Sequence, residues 1–393
     1  MPTIAAMEPT QIRSEIPEFQ SLSDLAWELG RASGQLANPL QASAVTAVGN
    51  LVRSMNCYYS NLIEGHNTMP IDIDRALEND FAQDPAQRDL QQEALAHIQV
   101  QSWIDQGGLD GTGFGVDGIR EVHRRFYEAM PERLHWVTHP ASGDRRRVIP
   151  GEYRDHDVQV GNHIPCAPEQ IPQFMGRWEA VYAGLKSSQF TMALAAAHHR
   201  LLWIHPFADG NGRVARLITH AMMRHCLDGT PLWSVSRGFA RTRTRYRYLL
   251  TTCDQPRRGD LDGRGQLSES SLVGFSRYFL ETSLDQVHFM SRILQQKDFT
   301  SRLFQWIYDH ERTHADAMVK ILKELLLFGQ VNRGEVPSIT GLVERTSRRV
   351  VKSLLEDHHL LVAKTSKAPL ELNIPLHLAE SIFPGLIPEN APD

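Results

Sequence analysis

The chain has 393 residues and a net charge of -5. That length allows two or three domains with a substantial core, and the acidic balance gives no general attraction to nucleic acid, so such binding needs a local basic patch. No run of about eighteen apolar residues is present to cross a membrane, and the four cysteines, Cys57, Cys166, Cys226 and Cys253, stand apart with no CxxC pair, against a disulfide framework or a cysteine zinc site. With Glu8 and Glu15 early in the chain there is no charged-then-apolar leader pattern, and the expectation is a cytoplasmic protein with reduced thiols.

Pro2, Pro9 and Pro17 interrupt the first twenty residues, which are expected to form an arm or loose wrapping. From Ala44 the pattern tightens: Val45, Val48, Val52, Met55, Tyr59 and Leu62 mark one face of a helix that runs into the segment SNLIEG, Ser60 to Gly65. Ser60 and Glu64 lie on one side of its end and Gly65 is a natural stop; by composition alone Glu64 is a solvated helix residue. Helix is expected to continue from Ile71 to Ile104, with Leu77, Phe81, Leu90, Leu95 and Ile98 as core. The glycine cluster from Gly107 to Gly118 follows no strand and reads as a loop. A helix follows near Val116 to Met130, and His123 and His135 read as structural. From Ser142 to Pro172 the helical period disappears; Gly151, Tyr153, Arg154 and the alternation Val158, Gln159, Val160 predict a short hairpin, while Arg145, Arg146 and Arg147 read as a solvated loop.

The chemistry concentrates in His205 to Arg216, HPFADGNGRVAR. Phe190, Leu194, Ala197 and Leu201 before it, and Val214, Leu217, Ile218, Ala221 and Met222 after it, recur at helical spacing, so the stretch reads helix, short loop, helix. Gly210, Asn211 and Gly212 permit a tight turn that aims free amides at the start of the second helix into one hollow, where the helix dipole also favours an anion. Arg213 and Arg216 can reach outlying phosphate oxygens. Asp209 can hold a magnesium ion bridging phosphates, and His205 can take a proton from an attacking hydroxyl at neutral pH.

These residues resemble the Fic-domain signature, HPFxxGNGRxxR, at each fixed position. The resemblance implies a mainly α fold, a Fic-type helical domain with a β-hairpin flap, and transfer of AMP from Mg-ATP to a Ser, Thr or Tyr hydroxyl of a target protein, self-modification included. It implies His205 as general base, Asp209 as the Mg2+ ligand, Gly210, Asn211, Gly212 and Arg213 as the phosphate-binding hole, and Arg216 as partner of the terminal phosphate. SNLIEG resembles the Fic inhibitory motif, so that Ser60 and Glu64 belong to an inhibitory helix whose carboxylate would occupy Arg216 in place of that phosphate. The hairpin through Val158, Gln159 and Val160 resembles the flap that clamps a target's backbone as an added strand. Tyr246, in RTRTRYRYLL, resembles by position an aromatic residue lining the adenine pocket; the paired tyrosines often found there are absent, and an amphipathic core helix is an equal reading. Three alternatives stay open: UTP or another donor, removal of AMP with Glu64 orienting water, and a DNA-binding regulator whose Fic domain senses nucleotide.

Beyond the signature, GDLDGRG at 259 to 265 reads as a turn whose later glutamate is out of register for a calcium loop, and Gly274 to Leu294 as a closing helix. His310, Glu311 and His314 satisfy HExxH, but no third ligand follows, and the motif is assigned to an ordinary linking helix. The tail has its own order: a helix through Val319, Leu322, Leu325 and Leu326, short helices near 338 to 344 and 347 to 358, then strands around 360 to 363 and 370 to 374. That is the order of a winged helix, an α+β module. Arg345, Arg348, Arg349 and Lys352 give it a basic side suited to DNA phosphates, although such modules also serve packing and homodimer formation. The expected division is an N-terminal helical region (1–115) carrying the inhibitory helix, a catalytic core (116–295), and a linking helix with the winged-helix-like tail (296–393).

Overall fold

The computed structural model describes residues 3–36, 40, 42–66, 68–138, 143–185 and 187–387; Pro2 and Ser142, named above, lie outside them. In chain order come α1 (Glu18–Gln35), α2 (Ala42–Glu64), α3 (Pro70–Leu77), α4 (Pro85–Asp105), α5 (Val116–Glu128), β1 (Trp136–Thr138), β2 (Arg145–Arg147), α6 (Ile171–Tyr182), α7 (Ser187–Ile204), α8 (Asn211–Cys226), α9 (Val235–Arg241), α10 (Arg243–Cys253) and α11 (Glu269–Ile293). The tail adds α12 (Gln296–His310), α13 (Ala315–Phe328), β3 (Gln330–Val331), α14 (Val336–Thr340), α15 (Glu344–Glu356), β4 (Leu361–Val362), β5 (Leu370–Leu372) and α16 (Ala379–Ile382). The chain is therefore mainly α. β1 and β2 form an antiparallel pair, and β3, β5 and β4 form a small antiparallel sheet in that order.

α7 is the central element. Phe190, Leu194, Ala197 and Leu201 are buried, and so are its other faces, because α6, α8 and α11 pack around it. α8 lies along α7 with Val214, Leu217, Ile218 and Met222 buried, which fixes the intervening loop against the core. α2 packs on α4, α9 and α8, so its C-terminal turn ends beside that loop. α1, which the sequence reading passes over, covers α11 with Leu22, Ala26 and Leu29.

Several expectations are corrected. The N-terminal arm is docked rather than loose: Met7 is fully buried, Tyr182 donates to Thr10 O at 2.6 Å, and Arg13 pairs with Glu269 at 2.6 Å. The helix expected over 71 to 104 is two helices, separated where Asp84 caps α4 by accepting from Gln87 N at 2.9 Å and Pro85 starts it; Leu77, expected in the core, is 45% exposed. Arg145 to Arg147 form β2, exposed throughout, pairing with β1 instead of a loop. HERTH spans a break: α12 stops at His310, Glu311 is extended (φ -120°, ψ 119°), and His314 precedes α13. The two histidines therefore do not share one helix face, and no group of three or more His, Cys, Asp or Glu fit to hold a metal occurs among the described residues.

Candidate active site

The loop between α7 and α8 is held by its own side chains. Asn211 accepts from Phe207 N at 3.0 Å and donates to Phe207 O at 2.9 Å. Gly210 stands at φ 78°, where other residues are strained, and a Cβ there would meet the Tyr127 ring at 3.0 Å. His123 lies parallel to Phe207 at 3.8 Å. Its Nδ1 accepts from Gly151 N at 2.9 Å, which leaves Nε2 as the protonated nitrogen facing Asp209 O at 3.3 Å. Arg154 ties the preceding segment to the loop, donating from Nε to His205 O at 2.9 Å and from its backbone N to Pro206 O at 2.9 Å.

His205 leaves α7 at φ 50°. Burial, reinforced by the charge of Arg154, lowers its pKa to about 4, so the imidazole is neutral at ordinary pH and able to accept a proton.

Asp209 and Arg213 form a buried charge network with two residues from distant helices. Asp209 Oδ2 accepts from Tyr127 OH at 2.7 Å and pairs with Arg213 Nη2 at 3.0 Å, while Arg213 Nη1 pairs with Glu93 at 2.6 Å. Burial raises the Asp209 carboxyl's pKa, but Arg213 and the Tyr127 hydroxyl outweigh it and hold the group below its usual value. For Glu93 burial is again outweighed, by Arg213 and His66, and the pKa falls to about 2. Asp209 keeps 42% of its side chain exposed. An ionised, reachable carboxylate held in place from one side is a hard oxygen donor of the kind Mg2+ takes singly, so the residue fits the ion.

Arg216 faces α2. Its Nε donates to Ser60 Oγ at 2.9 Å, and Nη2 donates to Glu64 Oε1 at 2.5 Å and to Ser60 O at 3.3 Å. Burial of Glu64 is outweighed by Arg216 and then Arg213, and its carboxyl is held below the usual range. Glu64 also crowds the start of α8: a Cβ on Gly212 would meet its Oε1 at 2.3 Å. The carboxylate thus sits at the helix N-terminus where an anion is favoured. Arg243 donates to Leu62 O at 3.2 Å and Arg247 to Ile63 O, so α10 grips the last turn of α2.

A cavity of about 490 Å³ opens here, with Glu64, Val160, His205, Gly212, Arg216 and Tyr246 in its wall. Tyr246 is 2% exposed; its ring stacks on Phe239 at 4.4 Å, and its hydroxyl donates to His198 Nε2 at 2.7 Å. Its ring is therefore largely core. Val158, Gln159 and Val160 do not form a strand: Val160 pairs with His163 in an isolated bridge, and Gln159 donates to Gly161 O at 2.9 Å. Of the residues singled out in the sequence, Ser60, Glu64, His205 and Asp209 to Arg216 converge, Tyr246 and Val160 border them, and Val158 is displaced along the loop. Glu93, Tyr127, His123 and Arg154 were missed as parts of this site.

The geometry sets a neutral histidine and the free amides that open α8 on one helix–loop–helix turn. Residues 114–223 match the family described as Fic/DOC family. Proteins named "Protein adenylyltransferase Fic" are similar: that of Nematostella vectensis is 30% identical over 173 residues, 42% of this chain and 36% of that one. The Drosophila melanogaster protein is 32% identical over 169 residues, 42% of this chain and 31% of that one. The matched stretch thus spans about a third of these relatives. Among solved structures, a Fic family protein from Desulfovibrio desulfuricans G20 aligns at TM-score 0.52 with 15% identity, over 92% of this chain and 98% of that one. Fic-1 from C. elegans aligns at 0.50 with 17% identity, over 68% and 71%. At these identities the structural likeness concerns the fold.

Proposed function

We propose that this chain is a protein adenylyltransferase restrained by its own Glu64. The observation that carries the reading is the meeting of Glu64, Gly212, Arg216 and His205 in the wall of one cavity: a base and an anion seat lie together, and a carboxylate of the chain occupies the seat. The named relatives support ATP as the donor.

In this reading the phosphates of ATP lie against the amides that open α8, with Arg216 released from Glu64 to take the terminal phosphate. Mg2+ on Asp209 supplies charge neutralisation at the phosphate oxygens. Tyr127 and Arg213 hold that carboxylate ionised and oriented, and Glu93 holds Arg213 from its other side. A hydroxyl of the target protein attacks the α-phosphorus as its proton passes to His205; the α–β phosphoanhydride bond breaks and pyrophosphate leaves. The exposed edge at Gln159 and Val160 is the place for a target backbone. The regions 1–115, 116–295 and 296–393 then act as restraint, catalytic core and accessory tail. Incubation of the Glu64→Gly protein and a lysate with labelled ATP, GTP, CTP and UTP, followed by mass spectrometry, is expected to find AMP on a Ser, Thr or Tyr hydroxyl. A product labelled from UTP alone, or no labelled protein, defeats the reading.

The tail supports a second, separable role. We read its order of helix, strand, two helices and two strands as a winged helix, and Arg345, Arg348, Arg349 and Lys352 are all exposed on α15. Among the described residues Arg348 and Lys352 pair with exposed neighbours on the same helix, Glu344 and Glu356. Such a stripe is suited to duplex phosphates; salt-dependent duplex binding that is weakened by Arg349→Ala tests it.

A further inference from the structure

α2 is held from two sides. Its inner side presents Ser60 and Glu64 to Arg216. On the outer side Tyr59, the residue before Ser60, is buried and donates from its hydroxyl to Leu386 O at 2.7 Å. The segment it grips is a compact hook: Arg237 donates to Gly385 O and, at 3.2 Å, to Leu386 O. Glu380 closes the hook by accepting from Gly385 N at 2.6 Å and Ile387 N at 3.1 Å.

Just beyond α2, α3 makes a second clasp. Asp74 accepts from Leu376 N at 2.9 Å, from His377 N at 2.7 Å and from His377 Nδ1 at 2.9 Å, and Glu78 pairs with His359 at 2.8 Å. The end of the tail therefore holds the chain on both sides of the Gly65 turn. At the second clasp lies a cavity of about 620 Å³, with Arg53, Asp74, Glu78, His359 and His377 among its walls. Part of this seam depends on a few polar contacts and is not filled by side chains.

We propose that Tyr59 and Asp74 are positioning residues for the inhibitory carboxylate. By clasping the hook at 376–387 they keep α2 seated with Glu64 on Arg216, and release of that hook opens the seat to a nucleotide's terminal phosphate. The inference rests on the reading that Glu64 competes with that phosphate. Physically, the outer contacts belong to the seated state alone, so each adds to the free energy a nucleotide must overcome to displace the helix.

The test is Mg-ATP binding by the full chain, measured calorimetrically for wild type, Tyr59→Phe, Asp74→Ala, Glu64→Gly and the two double variants, with circular dichroism confirming the fold. Loss of one net hydrogen bond is expected to tighten Mg-ATP binding about fivefold in Tyr59→Phe and by at least as much in Asp74→Ala. Neither change should tighten it further once Glu64 is Gly. Should Glu64→Gly alone bind more tightly, the brace is wrong. Equal effects with and without Glu64 show a general structural role and also overturn it. No change in Glu64→Gly removes the underlying reading and the brace with it.

Discussion

Arg216 donates from Nη2 to Glu64 Oε1 at 2.5 Å, joining α8 to the end of a helix 152 residues earlier. Arg216 is 4% exposed at its side chain and Glu64 32%, so the pair sits at the rim of the site with the arginine inside. Removing the carboxylate leaves Arg216 with Ser60 and an empty anion seat. Glu64→Gly is therefore expected to raise AMP transfer by at least about tenfold, the effect of a shift of about 1.4 kcal/mol. A glycine in the last helical turn costs about 1 kcal/mol of stability. Transfer of labelled AMP and a thermal melt check both; unchanged transfer with a competent target refutes the restraint.

His205→Ala should lower transfer by about 10²- to 10⁴-fold, the usual worth of a positioned general base, with the melting temperature nearly kept. The pH profile offers a sharper check. Burial and the nearby Arg154 lower the His205 pKa to about 4, so the proton-accepting form is present at any pH above that. Single-turnover transfer by Glu64→Gly should show no acidic limb near pH 6.5; one that moves with His205 substitution would contradict the assignment.

How much of this site was legible follows from how local each part is. The loop from His205 to Arg216 folds on itself through Asn211 and Phe207, so one short stretch of residues carries its geometry. The faces of α2, α7 and α8 were visible because their buried residues recur at the helical period. Glu93 and Tyr127 were not, since they come from α4 and α5 and reach Arg213 and Asp209 across 120 and 82 residues, with no spacing to announce them. β2 escaped because its three arginines are all exposed and show no alternation. HERTH misled in its placement because a sequence pattern does not reveal a helix break at Glu311.

Acid should weaken the fold through buried histidines. Burial, followed by the charge of Arg216, lowers the pKa values of His97 and His198 to about 3 each. The unfolded chain takes up these protons near pH 6.5 and the folded one resists, so their contribution is complete above pH 6.5 and is lost as pH falls toward 3. Glu93 acts lower: with a folded value of about 2 against 4.5, its contribution is complete above pH 4.5 and is lost toward pH 2. His97 has no partner for either ring nitrogen among the described residues. His97→Leu should therefore flatten the fall in melting temperature between pH 6.5 and 4; an unchanged slope counts against this origin.

Glu93→Gln separates orientation from charge at the proposed metal ligand. Arg213 is shared between Glu93 at 2.6 Å and Asp209 at 3.0 Å, and its side chain is only 9% exposed. Neutralising Glu93 leaves the guanidinium half-paired in a poorly solvated place, a change that costs about 3 kcal/mol when one partner of a buried pair is removed. Arg213 should then lean on Asp209 more strongly and compete with Mg2+. The expected result is a melting temperature several degrees lower and a higher Mg2+ requirement for transfer, while the His205 pH profile stays as it was. An unaltered Mg2+ requirement would show that Glu93 supports the fold without tuning Asp209.

Gly212→Ala distinguishes an anion seat from a mere gap beneath Glu64. The added Cβ would lie 2.3 Å from Glu64 Oε1 and 3.2 Å from Arg216 Nη1, so the glutamate must move off while the methyl fills the space left behind. If Glu64 were simply a lid, displacing it would open the site, and Mg-ATP would bind more tightly, as expected for Glu64→Gly. If the carboxylate occupies the very position a phosphate needs, the methyl obstructs both. The expected outcome is binding at least about tenfold weaker in Gly212→Ala/Glu64→Gly than in Glu64→Gly, a loss of about 1.4 kcal/mol, measured calorimetrically with the fold checked by circular dichroism. Equal binding by the two would move the terminal phosphate away from Gly212 and leave Arg216 to hold it from the other side.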